Sequence, residues 1–256
     1  MTALEIELVP CLRDNYAYLV RDADEGICAI VDPSEAAPVR AVLDSKGWRL
    51  THILNTHHHW DHTGGNAELK EAFGATVVGP EKDRARIPAI DVGVVEGSPF
   101  ALGPHRARVL EIPAHTRAHI AFAFEDDCAV FTGDTLFAMG CGRLFEGTPE
   151  MMWRSLSKLM QLSESIRVFC GHEYTLANGR FALTLEPGNR DLVSRMREVE
   201  KLRAENAPTI PSTIGLEKRT NPFLRVQSDE IRRTLNMCDA SDVEVFGEMR
   251  ARKDVF

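Results

Sequence analysis

The chain has 256 residues, 44% hydrophobic and 27% charged, a balance typical of a folded globular protein with one large domain or two smaller ones. A formal net charge of -8 argues against a general binder of nucleic acid or of an anionic membrane. The six cysteines are scattered without a CxxC pair, which argues against a disulfide framework and favours a reducing, cytoplasmic location.

Short β-branched segments separated by turn residues dominate the chain up to residue 172, as expected for strands. The predicted strands are residues 16–20, 27–31, 51–56, 75–79, 106–114, 119–124, 128–133 and 166–171. The first two are expected to pair around an acidic turn at 22–26. Before them, Glu5 and Glu7 interrupt the apolar core that a signal peptide needs, and no apolar run approaches the roughly 20 residues of a membrane span.

Three segments in this part have helical spacing instead. The predicted helices are residues 39–47, 66–74 and 148–162. Gly47 and Gly74 are typical residues for ending a helix, and Asn66 is expected to cap the start of the second helix. Thr148 is expected to cap the third, with Pro149 at the first helical position.

Beyond residue 172 the sequence becomes mainly helical. Residues 191–206 predict a charged amphipathic helix, and residues 207–223 an irregular connection rich in Pro and Thr. The last sixteen residues open with a possible capping box from Ser241 to Glu244. We therefore predict an α/β domain over residues 1–172 and a smaller, mainly helical domain over residues 173–256.

The segment NTHHHWDHTGGN contains four histidines and one aspartate within six positions. Side chains of an extended segment alternate between faces, so His57 and His59 should point the same way and His58 the opposite way. A turn at Asp61 toward the glycine pair would let Asp61 and His62 face the same region from another side. This arrangement predicts ligands for two neighbouring metal ions.

Three further strand-end motifs supply the ligands that two ions still need: VLEIPAHT with His115, AVFTGDT with Asp134 and VFCGHEY with His172. The natural division assigns His57, His59 and His115 to one ion, and Asp61, His62 and His172 to the other, with Asp134 as a bridge. Imidazole and carboxylate ligands suit zinc, iron or manganese, and the absence of cysteine ligands argues against a closed structural zinc site.

The remaining polar residues near these motifs have simpler interpretations. His52, His105 and His119 are expected to be ordinary strand or loop residues, or to support the ligands indirectly, as is His58. Asp32, which precedes a proline, is expected to form a turn. Cys141 lies between glycines, and we do not expect it to be a nucleophile.

The motif THHHWDH resembles the THxHxDH motif of the metallo-β-lactamase superfamily. Together with GDTLF, CGRLFEGT, GHEYT and NPFLR, it is similar to the hydroxyacylglutathione hydrolase (glyoxalase II) family over nearly the whole chain. The resemblance implies an αββα sandwich with a dinuclear metal site, followed by a helical domain that helps to bind glutathione. It also implies hydrolysis of S-(2-hydroxyacyl)glutathione thioesters, such as S-D-lactoylglutathione, in methylglyoxal detoxification.

The same resemblance places substrate contacts at Arg143, Phe145, Tyr174, Arg250 and Lys253. Lysine is frequent in the family where this chain has Arg143, which keeps the charge. Tyrosine is frequent where it has Phe145, which lacks the phenol hydroxyl. A solvated helix end is an equally good interpretation of Arg250 and Lys253 from the residues alone, because cations favour the C-terminus of a helix.

Two metal ions about 3.5–4 Å apart can hold a bridging water and lower its pKa toward 7. This would make a hydroxide the nucleophile, with Asp61 to orient it or accept its proton and Asp134 to bridge the ions. A thiolate can leave without a dedicated general acid because the thiol pKa is near 8.5.

The alternatives are a persulfide dioxygenase with one iron, a metal-dependent nuclease, and a non-catalytic metal-binding protein. The long helical C-terminal part argues against the first, the acidic balance against the second, and the room left for water against the third. We expect a monomer that binds two divalent ions, zinc first among them, and a small glutathione thioester.

Overall fold

Residues 3–256 are described by the structure, a computed structural model, and the chain divides into two units. The first unit contains Met1–Glu111 and Ala118–Gly133, and the second contains Ile112–Arg117 and Asp134–Phe256. No helix among residues 3–256 is both long enough and apolar enough to cross a lipid bilayer.

Among the residues from 3 onward, the first unit is built from ten strands and three helices. The strands are β1 (Glu5–Cys11), β2 (Asn15–Asp22), β3 (Ile27–Val31), β4 (His52–Leu54), β5 (Thr76–Pro80), β6 (Val92–Val94), β7 (Pro99–Leu102), β8 (His105–Glu111), β9 (Ile120–Phe124) and β10 (Ala129–Gly133). The helices are α1 (Ala36–Lys46), α2 (Trp60–Thr63) and α3 (Asn66–Phe73), with a 3-10 turn at Glu81–Asp83.

Strands β1 to β6 form one sheet in sequence order. The antiparallel pairing of β2 with β3 is confirmed, with Tyr18 opposite Val31, whereas β1 was not predicted. Strands β3, β4, β5 and β6 run parallel, so their carboxyl ends meet at one edge. Asp32 and the histidine segment follow β3 and β4 at this edge.

Strands β7, β8, β9 and β10 pair antiparallel in that order. Along β8, buried and exposed residues alternate from His105 to Val109, so that one face of the strand is covered and the other is open. One face of the first sheet is covered by helices α1 and α3. Their residues Val39, Leu43 and Leu69 pack in the same apolar cluster as Ile30 and Ile53 of the sheet.

The second unit is mainly helical. Its strands are β11 (Leu136–Phe137), β12 (Gly140–Cys141), β13 (Arg167–Cys170) and β14 (Ser212–Thr213). Its helices are α4 (Pro149–Leu159), α5 (Thr175–Leu185), α6 (Arg190–Ala204), α7 (Ile214–Thr220), α8 (Asp229–Leu235) and α9 (Asp242–Asp254), with a 3-10 turn at Pro222–Leu224. Strands β11 and β12 form a hairpin, and β13 pairs antiparallel with β14.

Four of the five helix ends that were predicted by residue are observed. Gly47 and Gly74 end α1 and α3 in the left-handed conformation. The Thr148 side chain accepts a hydrogen bond from the Met151 amide, and Ser241 with Glu244 forms the predicted capping box. These predictions are confirmed.

Two predictions about local structure were wrong. Asn66 is not the N-cap of α3, because Gly65 occupies that position and the Asn66 side chain pairs with Asn55 instead. Residues 207–223 are not irregular: they contain β14, α7 and a 3-10 turn, each too short to give a periodic pattern. The Thr213 side chain caps α7 by accepting from the Leu216 amide.

Candidate metal centre

The histidine segment runs from the end of β4 to the start of α3 and includes α2, and a buried asparagine at each end holds it. The Asn55 side chain donates to the His62 carbonyl oxygen at 3.1 Å and accepts from Asn66 Nδ2 at 2.7 Å. These bonds join the start of the segment to its end. The short helix α2 then turns Asp61 and His62 back toward the strand.

The alternation predicted for the three consecutive histidines is observed. His57 Nε2 lies 3.2 Å from His59 Nδ1, so these two rings converge. His58 faces away, and its Nδ1 lies 2.9 Å from Asp83 Oδ2. Beyond them, His62 Nε2 lies 3.7 Å from Asp61 Oδ2, and His62 is almost fully buried.

Asp32 supports this segment, a role that the expectation of a simple Asp-Pro turn missed. Its buried carboxylate accepts from the Thr56 amide at 2.8 Å and from Thr56 Oγ1 at 2.7 Å, and lies 3.2 Å from His62 Nδ1. Thr56 Oγ1 in turn lies 3.0 Å from His57 Nδ1. Asp32 therefore orients the His62 ring directly and the His57 ring through Thr56. The signal in the sequence was an aspartate one residue beyond a parallel strand that neighbours β4.

The second unit brings together the other three predicted ligands. His115 Nε2 lies 3.4 Å from Asp134 Oδ2, and His172 Nε2 lies 3.2 Å from the same oxygen. All three side chains are nearly buried. His115 Nδ1 lies 3.0 Å from the Arg143 carbonyl oxygen, which can accept a hydrogen bond from Nδ1–H and leave Nε2 directed at the carboxylate.

These distances fit metal ligands. With metal–ligand distances of about 2.0–2.2 Å, neighbouring ligand atoms of a four-coordinate centre lie roughly 3.3–3.6 Å apart. The spacings of His57 to His59, of His115 to Asp134 and of His172 to Asp134 all lie close to that range. Imidazole nitrogens and carboxylate oxygens also form the donor set of zinc, iron and manganese sites.

Glycines permit the close backbone approach that this packing needs. Gly133 has a φ of 47°, and a Cβ there would lie 2.3 Å from Thr56 Oγ1. A Cβ on Gly142 would lie 1.9 Å from the Asp134 carbonyl oxygen and 3.1 Å from His115 Nδ1. No larger residue fits either position without moving a predicted ligand or its support.

Three of the predicted substrate residues lie near the ligands of the second unit. Tyr174, partly exposed, stacks on the His172 ring with 4.7 Å between centroids. Phe145 is exposed and meets the His115 ring edge-on at 5.2 Å. Arg143 is exposed at its side chain, while its carbonyl contacts His115.

The two predicted cations of α9 differ in their surroundings. Arg250 is buried: it donates to the Cys141 carbonyl oxygen at 2.9 Å and pairs with Asp254 at 3.0 Å. Lys253 is partly buried, and its Nζ lies 5.5 Å from the centre of the Phe181 ring. Burial lowers the pKa of Lys253, and Arg250 and Arg143 lower it further.

His119, His105 and Cys141 were predicted not to be ligands or nucleophiles, and each is buried among other side chains. His119 is buried and stacks on the His57 ring at 4.5 Å, and His105 lies between the carboxylates of Asp22 and Asp127. Burial raises the pKa of the Cys141 thiol to about 11, although Arg250 opposes the shift. A thiol with so high a pKa is a poor nucleophile near neutral pH.

Known proteins resemble this chain along its whole length. Residues 12–172 match the metallo-beta-lactamase superfamily model, and residues 173–256 match the model of the hydroxyacylglutathione hydrolase C-terminus. Proteins named hydroxyacylglutathione hydrolase from Methylococcus capsulatus (57% identical, 99% of each chain covered) and Rhodospirillum rubrum (52% identical, 100% of each chain covered) are among its relatives. The crystal structure of the BLEG-1 B3 metallo-beta-lactamase has a similar fold (TM-score 0.68, 21% identity, 86% of this chain and 100% of that chain covered).

The fold and the histidine–aspartate clusters define a class, the metallo-β-lactamase superfamily. Within this class, the chain belongs to the hydroxyacylglutathione hydrolase family. The predicted fold class and the resemblance stated from the sequence are thereby confirmed.

Proposed function

We propose that this chain hydrolyses S-(2-hydroxyacyl)glutathione thioesters, such as S-D-lactoylglutathione, to glutathione and a 2-hydroxy acid, the second step of methylglyoxal detoxification. The observation that carries this proposal is the 57% identity, over 99% of the chain, to a protein named hydroxyacylglutathione hydrolase. The match of residues 173–256 to the C-terminal model of that family supports it. The chain is accordingly a metal-dependent hydrolase, and we further propose that it acts as a monomer in the cytoplasm.

Seven side chains hold two divalent ions in this proposal. His57, His59 and His115 would bind one ion, Asp61, His62 and His172 would bind the other, and Asp134 would contact both. The convergence of His57 with His59, and of His115 and His172 on Asp134, supports the grouping of these side chains as ligands. Zinc is the proposed metal, with iron and manganese compatible with the same ligands. When bound, the two ions supply the Lewis acidity that activates water and polarises a thioester carbonyl.

The protein groups orient the reactants and handle the proton. Asp61 is the proposed acceptor of the proton that the attacking water loses, and Asn15 holds its carboxylate at 3.1 Å. The leaving group is a thiolate whose conjugate thiol has a pKa of about 8.5, so departure needs no general acid. Tyr174 and Phe145 present aromatic surface beside His172 and His115, where the substrate would lie.

Three cations recognise the glutathione part of the substrate. Glutathione carries two carboxylates, and charge-assisted hydrogen bonds to Arg and Lys suit them. Arg143 and Lys253 are the proposed direct partners, because the Arg143 guanidinium and the Lys253 ammonium group retain solvent access. Arg250 belongs to the same set, and its buried bond to Cys141 fixes its position. The helical domain that carries Lys253 is proposed to span residues 173–256.

Metal analysis combined with steady-state hydrolysis tests the proposal. The expected result is about two metal ions per chain and rapid release of glutathione from S-D-lactoylglutathione. One tightly held iron, with oxygen consumption in the presence of glutathione persulfide, would favour the dioxygenase alternative. Tight metal binding without turnover of either substrate would favour a non-catalytic metal-binding protein.

A further inference from the structure

The hairpin of β11 and β12 lies in the sequence between two functional positions. Asp134, the proposed bridging ligand, comes just before it, and the Arg143–Phe145 segment comes just after it. The two ends are joined, because Leu136 pairs with Cys141 and the Gly142 amide donates to the Thr135 carbonyl oxygen at 3.2 Å. Displacement of the hairpin would therefore displace both functional positions.

The turn of this hairpin has an unfavourable backbone conformation. Met139 has a φ of 54°, the left-handed region that a non-glycine residue with a long side chain rarely adopts. The turn residues Ala138 and Met139 are also fully buried, so that water does not satisfy their backbone groups. Side chains from elsewhere in the second unit must hold this conformation.

Two side chains, Glu217 of α7 and Asn221 directly after it, supply most of the side-chain hydrogen bonds to the turn backbone. Asn221 Nδ2 donates to the Phe137 and Gly140 carbonyl oxygens at 3.1 and 2.9 Å, one on each side of the turn. Glu217 Oε2 accepts from the Met139 amide at 2.8 Å and from Asn221 Nδ2 at 3.0 Å. Neither side chain is exposed to solvent.

The Glu217 charge is itself held in place. Arg195 of α6 pairs with Glu217 Oε1 at 2.6 Å and donates to the Ser212 hydroxyl at 2.9 Å. An unpaired charge is costly to bury, so the pairing with Arg195 stabilises Glu217 in this position. Helices α6 and α7 are thus connected through Glu217 to the Met139 amide.

The hairpin also connects to a predicted ligand. Past β12, the Arg143 carbonyl oxygen lies 3.0 Å from His115 Nδ1 and fixes which ring nitrogen faces Asp134. The chain of contacts runs from Asn221 to the turn, from the turn to Arg143, and from Arg143 to His115. The substrate segment and a metal ligand therefore share one support.

We propose that Asn221 and Glu217 are positioning residues for the reaction: they hold the β11–β12 hairpin so that Arg143, Phe145 and His115 keep their working geometry. This inference rests on the proposed function for its kinetic consequence. Its structural consequence, a fixed hairpin, is independent of which substrate is hydrolysed.

The test compares Asn221→Ala with Asn189→Ala. Asn189 is a matched control, because it also caps a helix and donates to a carbonyl in the same unit, but its bonds go to Leu192, Glu186 and Arg219. We expect Asn221→Ala to lower kcat/KM for a glutathione thioester by roughly tenfold to a hundredfold more than Asn189→Ala, since small misplacements of reacting groups have effects of that size. Hydrogen–deuterium exchange of residues 134–146 should accelerate only in Asn221→Ala.

Asn221→Ser serves if the alanine variant does not fold. The serine hydroxyl can still accept from the Phe223 amide, as Asn221 does, but cannot reach both hairpin carbonyls. Equal kinetics and equal exchange in the Asn221 and Asn189 variants would overturn the inference. If exchange of residues 134–146 is faster in Asn221→Ala but the wild type hydrolyses no glutathione thioester, Asn221 still holds the hairpin and the proposed function is wrong.

Discussion

At the scale of single residues, Asp32 offers a direct test of how the metal ligands are oriented. Its carboxylate can accept a hydrogen bond from His62 Nδ1–H, which leaves His62 Nε2 deprotonated and available to a metal. In Asp32→Asn the amide can donate to Nδ1 instead, so that Nε2 carries the proton. We expect a loss of metal affinity of about tenfold to a hundredfold, measured by competition with a chelator.

Asp22→Asn is the matched control for that change. Asp22 is another buried aspartate in contact with a histidine, His105, but it lies outside the histidine segment. Its substitution should leave metal affinity unchanged. If both variants bind metal with wild-type affinity, Asp32 does not orient His62 for binding.

Asp134 and His58 should differ sharply when each is replaced by alanine. A bridging carboxylate contacts both ions, so Asp134→Ala should lose metal and hydrolysis together. His58 faces Asp83, so His58→Ala should retain both. Metal content and kcat of the two purified variants are the measurements. Equal loss of activity with metal retained in both would contradict the ligand assignment.

The sequence was informative about these residues because strand alternation and strand ends are local rules. Alternation predicted that His57 and His59 converge while His58 turns away, and the structure shows this. The role of Asp32 was missed because it depends on which strand lies beside β4. Strand order in the sheet is set by tertiary pairing, so the sequence pattern alone did not predict that β3 lies beside β4.

At the scale of elements, α9 carries two of the three cations proposed for glutathione, Arg250 and Lys253. Contacts with a remote part of the substrate act equally in ground and transition states, so Lys253→Ala should raise KM and largely keep kcat. The loss of a charged hydrogen bond of about 1.5–3 kcal/mol corresponds to roughly a tenfold to hundredfold fall in kcat/KM. A thioester without glutathione should be affected little. Unchanged KM in both Lys253→Ala and Arg250→Ala would assign no part in glutathione binding to α9; Arg250 would then be a buried structural residue, and the solvated helix end would remain an interpretation for Lys253 alone.

The pH dependence of the same step has a defined sign. The pKa of Lys253 is lowered by burial and by Arg250 and Arg143, so it loses its charge at a lower pH than an exposed lysine. Binding of a carboxylate should therefore weaken as the pH rises toward that value. In Lys253→Arg, which stays charged, kcat/KM should persist to higher pH.

Helices and strands were predicted well wherever the signal was local. The caps at Thr148 and Ser241 and the stops at Gly47 and Gly74 needed no tertiary information. Asn66 was assigned wrongly because its partner, Asn55, lies outside the helix. Residues 207–223 were assigned wrongly because their elements are too short to show a periodic pattern of apolar residues. Tertiary hydrogen bonds, such as those of Asn221 to the hairpin, stabilise these short elements instead.

At the scale of the whole molecule, bound metal should contribute strongly to stability. Ions that bind only the folded state add about 4 kcal/mol to the free energy of unfolding when free metal exceeds Kd a thousandfold. Removal of metal by a chelator should lower the melting temperature, and zinc should restore it, as measured by calorimetry. The Asp134→Ala variant is the control and should not respond. An unchanged midpoint in the wild type would contradict metal binding by the folded chain.

The contacts within the second unit bear on how this protein can recombine with its relatives. A chimera joined at residues 172 and 173 would take the β11–β12 hairpin from one parent and Glu217 and Asn221 from the other. The bonds of Asn221 to Phe137 and Gly140 would then depend on compatibility between parents. A crossover between Gly133 and Asp134 would inherit hairpin, Glu217 and Asn221 together, and such hybrids should yield active progeny more often.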